Sequence, residues 1–311
     1  MESSELLFSD ICPDLSLIVL SYNNLEYLER FVNNISLCRG NYFLEVIFID
    51  DGTKDAQEIY HSLLKNYRAR LRASTISRIL IIFKTENKGI VDSVLTGITK
   101  ASGKYINFKS IDDLYCIQFL QKILDEISFS KHHIIHFPFL YYREKTRIIS
   151  KIKPEISFFY KSHEQQLEEM LTNYKVVVGA CLFRSTILQE EMSYERIKLF
   201  KYSLERPLML ELTQKGYQVI PSKKASPLYI YVRNKKSISN WLFTSDVFYQ
   251  ERNLLSQIYG INFSNKSYNI ASRIYDKFKG YINNFFCHKL SFAEEQDLYN
   301  SKLDLSDFDN L

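Results

Sequence analysis

The chain has 311 residues, enough for one large domain or for a domain with a smaller appendage. Its 46% hydrophobic and 24% charged content is ordinary for a globular protein and excludes a disordered or collagen-like chain. A net charge of +4 makes no demand for a nucleic-acid partner, and none is expected.

The elements alternate from the start. Leu15–Leu20 is a short branched apolar run that reads as a buried strand, ended by the polar cluster Ser21–Asn24. Leu25–Leu37 spaces Leu28, Phe31, Val32 and Ile35 as one helix face. Val46–Ile49 repeats the strand pattern and stops at Asp50-Asp51-Gly52-Thr53, and Glu58–Arg72 reads as helix. Ile79–Phe83 predicts a third strand, followed by the turn Glu86-Asn87-Lys88-Gly89 and a helix through Lys100. Gly103–Phe108 is a fourth strand, with Asp112-Asp113 just beyond it.

This order implies an α/β fold with parallel strands and helical crossovers. Ligands in such sheets bind outside the carboxyl ends of the strands, where Ser21–Asn24, Asp50–Thr53 and Ser110–Asp113 all fall. Farther on, Ile134–Tyr142 and Val176–Phe183 read as strands, and Glu164–Asn173 and Tyr202–Gly216 as helices. From Lys266 to Leu290, Lys266, Arg273, Lys277, Lys279 and Lys289 interleave with Tyr268, Ile274, Phe278, Tyr281, Ile282, Phe285 and Phe286. That pattern suits an interfacial helix at an anionic membrane, and equally a helix packed on its own domain with a solvated basic face. The acidic stretch after Phe292 is expected to be poorly ordered.

Cys12, Cys38, Cys116, Cys181 and Cys287 are scattered, odd in number and without C-x-x-C spacing, which fits reduced cytosolic thiols better than disulfides or a zinc site. Glu2, Glu5 and Asp10 occupy the start, where a secretory signal would be basic and then apolar. No apolar run approaches the ~20 residues needed to span a bilayer, so a cytoplasmic location, soluble or peripheral, is expected. His132, His133 and His136 lie in or beside an apolar strand without an acid or Cys at ligand spacing, a weak basis for a metal site.

Three segments together resemble the family-2 glycosyltransferases of the GT-A fold: Ser16–Asn23 (SLIVLSYN), Glu45–Asp55 (EVIFIDDGTKD), and Gly103–Phe108 (GKYINF) with Asp112-Asp113. The resemblance covers the first 115 residues or so well, with weaker echoes to Ser239, and lies nearest to bacterial capsule, lipopolysaccharide and wall-polymer enzymes. It implies a Rossmann-like, mostly parallel sheet flanked by helices over residues 1–240, with 1–115 binding the nucleotide sugar and 116–240 the acceptor. Residues 241–311 would form a C-terminal helical extension that can meet a membrane.

The resemblance also implies roles. Asp51 matches the carboxylate that accepts a hydrogen bond from a pyrimidine ring nitrogen, with Leu20 and Tyr22 beside the base and Asp50 shaping the turn or touching the ribose. Asn87 and Lys88 belong to the turn after the third strand, and the Arg-Asn that usually follows is replaced by Val94-Leu95. The metal motif Asp-any-Asp aligns with Ser110-Ile111-Asp112, which lacks its first carboxylate. Asp112 is then the preferred ligand of Mn2+ or Mg2+ and Asp113 the second, since a hard cation on carboxylates neutralises the leaving diphosphate. Asp-Asp-Gly is also a good turn sequence, and an Asp pair can simply cap a helix starting near Leu114.

Leu204-Glu205-Arg206-Pro207 fits the frame that carries the general base, with Glu205 as the carboxylate. A helix N-terminus is expected to lower its pKa and keep it ionised, and Glu211 is a second candidate on another face. Tyr231-Val232-Arg233-Asn234, ahead of Ser237-Ile238-Ser239, resembles a late Tyr-Arg motif, so Arg233 would pair with the diphosphate. The expected activity is inverting transfer of a sugar, from a uridine diphosphate donor, to a glycan hydroxyl on a lipid-linked acceptor. A catalytically inactive donor-binding partner of another transferase is the alternative, and a nucleotidyltransferase is weaker because Ser21–Asn24 has neither Gly nor a basic residue.

Overall fold

A computed structural model describes residues 1–153, 156–172, 176–224, 226–235, 245–261 and 287–306. The expected alternation appears as β2 (Leu15–Ser21), α1 (Leu28–Ser36), β3 (Leu44–Asp50), α2 (Ala56–Arg72), β4 (Ile76–Phe83), α3 (Ile90–Lys100) and β5 (Tyr105–Ser110). Strands β4, β3, β2 and β5 are mutually parallel in that spatial order. Period-2 alternation assigns their side chains to two cores. Leu15, Leu17 and Val19 of β2 face α1 and α2, whereas Ile18 faces α3. Leu28, Phe31, Val32 and Ile35 of α1 are fully buried, each contributing about 1.5–3 kcal/mol of transfer free energy.

An N-terminal strand not foreseen from sequence, β1 (Glu2–Leu7), pairs antiparallel with β4 at the sheet edge. On the other side the sheet continues through β10 (Cys181–Arg184), β7 (Ile134–His136) and β11 (Val219–Pro221), making eight strands with both parallel and antiparallel pairs. The single strand expected over Ile134–Tyr142 is two. Pro138 has no amide hydrogen for a ladder, and the chain leaves β7 to form β8 (Phe139–Arg143) in a second sheet. The strand expected from Val176 starts only at Cys181, because Val178–Ala180 is a 3-10 turn.

That second sheet has the order β13 (Cys287–Lys289), β9 (Ile148–Ile152), β8, β12 (Tyr229–Arg233) and β6 (Leu114–Tyr115). No helix begins near Leu114: Leu114 and Tyr115 pair with β12, and the next helix, α4 (Leu120–Ser128), follows a 3-10 turn. The Asp112-Asp113 pair is therefore not a helix cap. On the α3 side of the large sheet, α5 (Ile156–Phe159), α6 (His163–Thr172), α7 (Ser185–Gln189), α8 (Glu205–Gln214) and α9 (Asp246–Tyr259) follow in chain order, with Phe158, Met170, Ile187, Leu208 and Leu255 in the same core as α3.

The acidic stretch after Phe292 is ordered through residue 306, contrary to expectation. α10 (Phe292–Tyr299) begins with a capping box in which Ser291 Oγ accepts from Glu294 N and Glu294 Oε2 accepts from Ser291 N. Leu298 and Leu305 are buried in the core shared with α1, and that apolar anchorage outweighs the charge. Of the basic aromatic segment, residues 266–286 lie outside the described residues, as do Ser237–Ser239, and 287–289 is strand.

Candidate active site

The chain runs from β2 to β3 and β4 on one side, then crosses to β5 on the other side of β2. Connections diverge at β2 and β5, which opens a crevice at their carboxyl ends. Ser21 is in register with Asp50, and Leu20 with Ser110. With strands ~4.8 Å apart, Asp50 and Ser110 flank Ser21 roughly 10 Å from each other. Backbone pairing runs past the strand ends: Asp51 N donates to Ser21 O, Lys84 N to Asp50 O and Ile111 N to Leu20 O, each at 2.9 Å. The sequence-predicted loops thus start from one fixed edge.

Asp50 organises the first of them. Its carboxylate accepts from Ser21 Oγ (2.8 Å) and Thr53 N (2.7 Å), and Ser21 Oγ also meets Tyr60 OH at 2.8 Å. Burial pushes the Asp50 pKa up, against these bonds. Thr53 Oγ1 accepts from Asn23 N (2.9 Å), joining the two loops, while Tyr22 stays 45% exposed with its ring available for stacking.

Asp51 is buried and holds the turn after β4. Oδ1 accepts from Lys88 N (3.0 Å) and lies 3.1 Å from Lys84 Nζ, and Oδ2 accepts from Gly89 N (2.7 Å). Lys84 also reaches Asp92 (2.5 Å) and Ser93 Oγ (2.8 Å). Asn87 Oδ1 is buried without a hydrogen-bond partner among the described residues. Val94 and Leu95, where the resembled family has Arg-Asn, are buried in the α3 core.

Asp112 and Asp113 have different surroundings. Asp112 Oδ2 accepts from Asn234 Nδ2 (2.6 Å) and its carbonyl from Arg30 Nη2 (2.6 Å). Asp113 Oδ1 accepts from Val232 N (3.0 Å) in β12. The Tyr231–Asn234 motif therefore lies against this loop, and Arg233 ends the strand beside it. Inside, Lys109 donates to Gly179 O and its Nζ lies 2.8 Å from the centre of the Tyr229 ring. Burial pushes Asp113 up and Lys109 down, although each favours the other's charge.

Glu205 opens α8 with Pro207 in the first turn, where no amide hydrogen is missed. Its residue surface is exposed, although protein atoms crowd the carboxylate. That crowding pushes its pKa up to about 7, with Lys109 pulling the other way. The expectation of a lowered pKa is thus reversed, because desolvation exceeds the helix-end field. Glu211 is engaged within the protein, pairing with Arg196 (2.9 Å) and accepting from Tyr259 OH (2.8 Å).

The model of glycosyl transferase family 2 covers residues 16–191. The chain belongs to that family. An uncharacterized glycosyltransferase of Rickettsia prowazekii, RP339, is 24% identical over 210 residues, 67% of this chain and 59% of that protein. TuaG of Bacillus subtilis, named for teichuronic acid biosynthesis, is 23% identical over 235 residues, 74% of this chain and 83% of TuaG. The chain spans 59% of RP339 and 22% of a Rickettsia felis relative. S. aureus TarS 1-349, solved with UDP-GlcNAc, superposes with a TM-score of 0.53 at 16% identity, over 81% of this chain and 68% of TarS. The shared GT-A fold includes the large sheet flanked by helices.

Lys84 and Lys109 escaped sequence reasoning. Lys109 left a signal, since Asn107 and Lys109 alternate with Ile106 and Phe108 and so share one strand face. No group of three or more His, Cys, Asp or Glu is gathered to hold a metal among the described residues. His136 is buried, accepts from Val177 N (3.4 Å), and burial pushes its pKa down to about 3. A surface groove of about 920 Å³ runs along α1 past Arg30, Arg39 and Tyr299, and none of the strand-end acids lines it.

Proposed function

We propose that this glycosyl transferase family 2 chain moves a sugar from a uridine diphosphate donor to a hydroxyl of a glycan, with inversion. The observation that carries the reading is the meeting of Asp50-Asp51 and Ser110–Asp113 at the β2/β5 switch. Asp51 takes the pyrimidine N–H, with Tyr22 stacked on the base and Leu20 beside it; Asn87 and Lys88 line the turn. Arg233 pairs with the diphosphate. UDP-GlcNAc in TarS and the wall-polymer name of TuaG support the donor class and a polymer acceptor, which we take to be lipid-linked.

The donor set suits a hard cation bound through one carboxylate and completed by diphosphate and water, as Mg2+ or Mn2+ accepts. Asp112 would hold it, with Asp113 and Ser110 behind, and it would stabilise the leaving diphosphate. Glu205 removes the acceptor hydroxyl proton as that oxygen attacks the anomeric carbon. The carbon–oxygen bond to the diphosphate breaks on the opposite face, and its electron pair leaves with the diphosphate. A base near pH 7 is well matched to this task. Glu205→Gln is expected to cut transfer of labelled sugar by about 10²–10⁴ while uridine diphosphate still binds. Native transfer in that variant would remove Glu205 from the reaction.

A further inference from the structure

The carboxylate of Glu251, in α9, accepts from three consecutive backbone amides. Lys201 N and Tyr202 N reach Oε1 at 2.6 and 2.8 Å, and Ser203 N reaches Oε2 at 2.8 Å. Glu251 is only 6% exposed, so one buried anion satisfies three donors that face the same way. Those residues lead directly into Leu204 and Glu205. The same segment is tied to the Asp51 turn: Lys201 O accepts from Val91 N (3.2 Å), two residues after Gly89, whose own amide donates to Asp51. A Cβ on Gly89 would stand 2.4 Å from Lys201 O, which shows how closely the two loops approach.

We infer that Glu251 is the positioning residue of the base: its carboxylate fixes residues 201–203 so that Glu205 is presented to the crevice in register with the Asp51 turn. The inference rests on the reading of Glu205 as base. Glu251 touches no substrate and acts through the backbone. α9 has a second anchor eight residues on, where Tyr259 OH donates to Glu211. That bond lies on the same helix face and does not touch 201–203, so it separates loop positioning from general support of α8.

The test compares Glu251→Gln and Tyr259→Phe with the native protein by amide hydrogen exchange, uridine diphosphate titration and steady-state transfer. Gln keeps one acceptor oxygen and turns an amide group against the remaining N–H. Exchange at 201–203 should accelerate in Glu251→Gln, and kcat should fall on the order of a hundred-fold with little change in the donor KM, as a misplaced base requires. Tyr259→Phe should leave both nearly native. Native kcat in Glu251→Gln, an equal fall in Tyr259→Phe, or unprotected 201–203 amides in the native protein would each overturn the inference. If the native protein transfers no sugar, the proposed function fails separately, and unchanged amide exchange in Glu251→Gln still overturns the clamp.

Discussion

Replacing Asp51 by Asn tests the turn that links donor and base. Asp51 accepts from Lys88 N and Gly89 N and faces Lys84 Nζ at 3.1 Å, with side chains of Asp51 and Lys84 only 8% and 4% exposed. Asn has one acceptor oxygen, so whichever way its amide turns, its NH2 faces a donor that the carboxylate satisfied. Losing a buried bond to a charged partner costs about 1.5–3 kcal/mol. Lys84 keeps Asp92 and Ser93, which spares most of the ~3–5 kcal/mol expected for a fully orphaned buried charge. We therefore expect a loss of about 2–3 kcal/mol in urea unfolding. Affinity for uridine diphosphate should fall at least about tenfold, since each 1.4 kcal/mol is tenfold. Unfolding within about 0.5 kcal/mol of native, the range of an ordinary surface substitution, would refute this account of Asp51.

Two further outcomes follow from the site. With Glu205 pushed up to about 7, transfer should rise with pH through that value, and Lys109→Met, which removes the attraction favouring the carboxylate, should move this limb to higher pH. A limb near the ordinary Glu value of about 4.3 in a pH–rate profile would show that the crowding has no effect on the base. Gly89→Ala places a side chain at φ +93° and 2.4 Å from Lys201 O, so denaturation and nucleotide titration should register a loss of about 1–3 kcal/mol and weaker binding. Native values for both would mean that the two loops do not touch as described.

The first half was legible because its strands are short apolar runs that end in polar clusters, and the chemistry sits at those ends. Leu15–Leu20 and Val46–Ile49 fall within a residue or two of β2 and β3. Legibility failed where tertiary pairing decides. Leu114-Tyr115 looks like the start of a helix but is captured by β12, which lies over a hundred residues away in sequence. β1 is too exposed to show a clear apolar pattern, and it exists because β4 offers it an edge. The Glu205 frame was readable, but its pKa direction was not, since desolvation by the folded chain leaves no mark on a local helix-start pattern. Lys84 and Glu251 were invisible for a similar reason: their partners are in other loops, and a lone Lys or Glu on an amphipathic pattern reads as solvated surface.

The most direct test of the central claim is calorimetric titration of uridine diphosphate, with and without manganese, into the native protein and Asp112→Asn. The account predicts manganese-dependent binding that Asp112→Asn weakens. Absence of binding to the native protein in both conditions would contradict it.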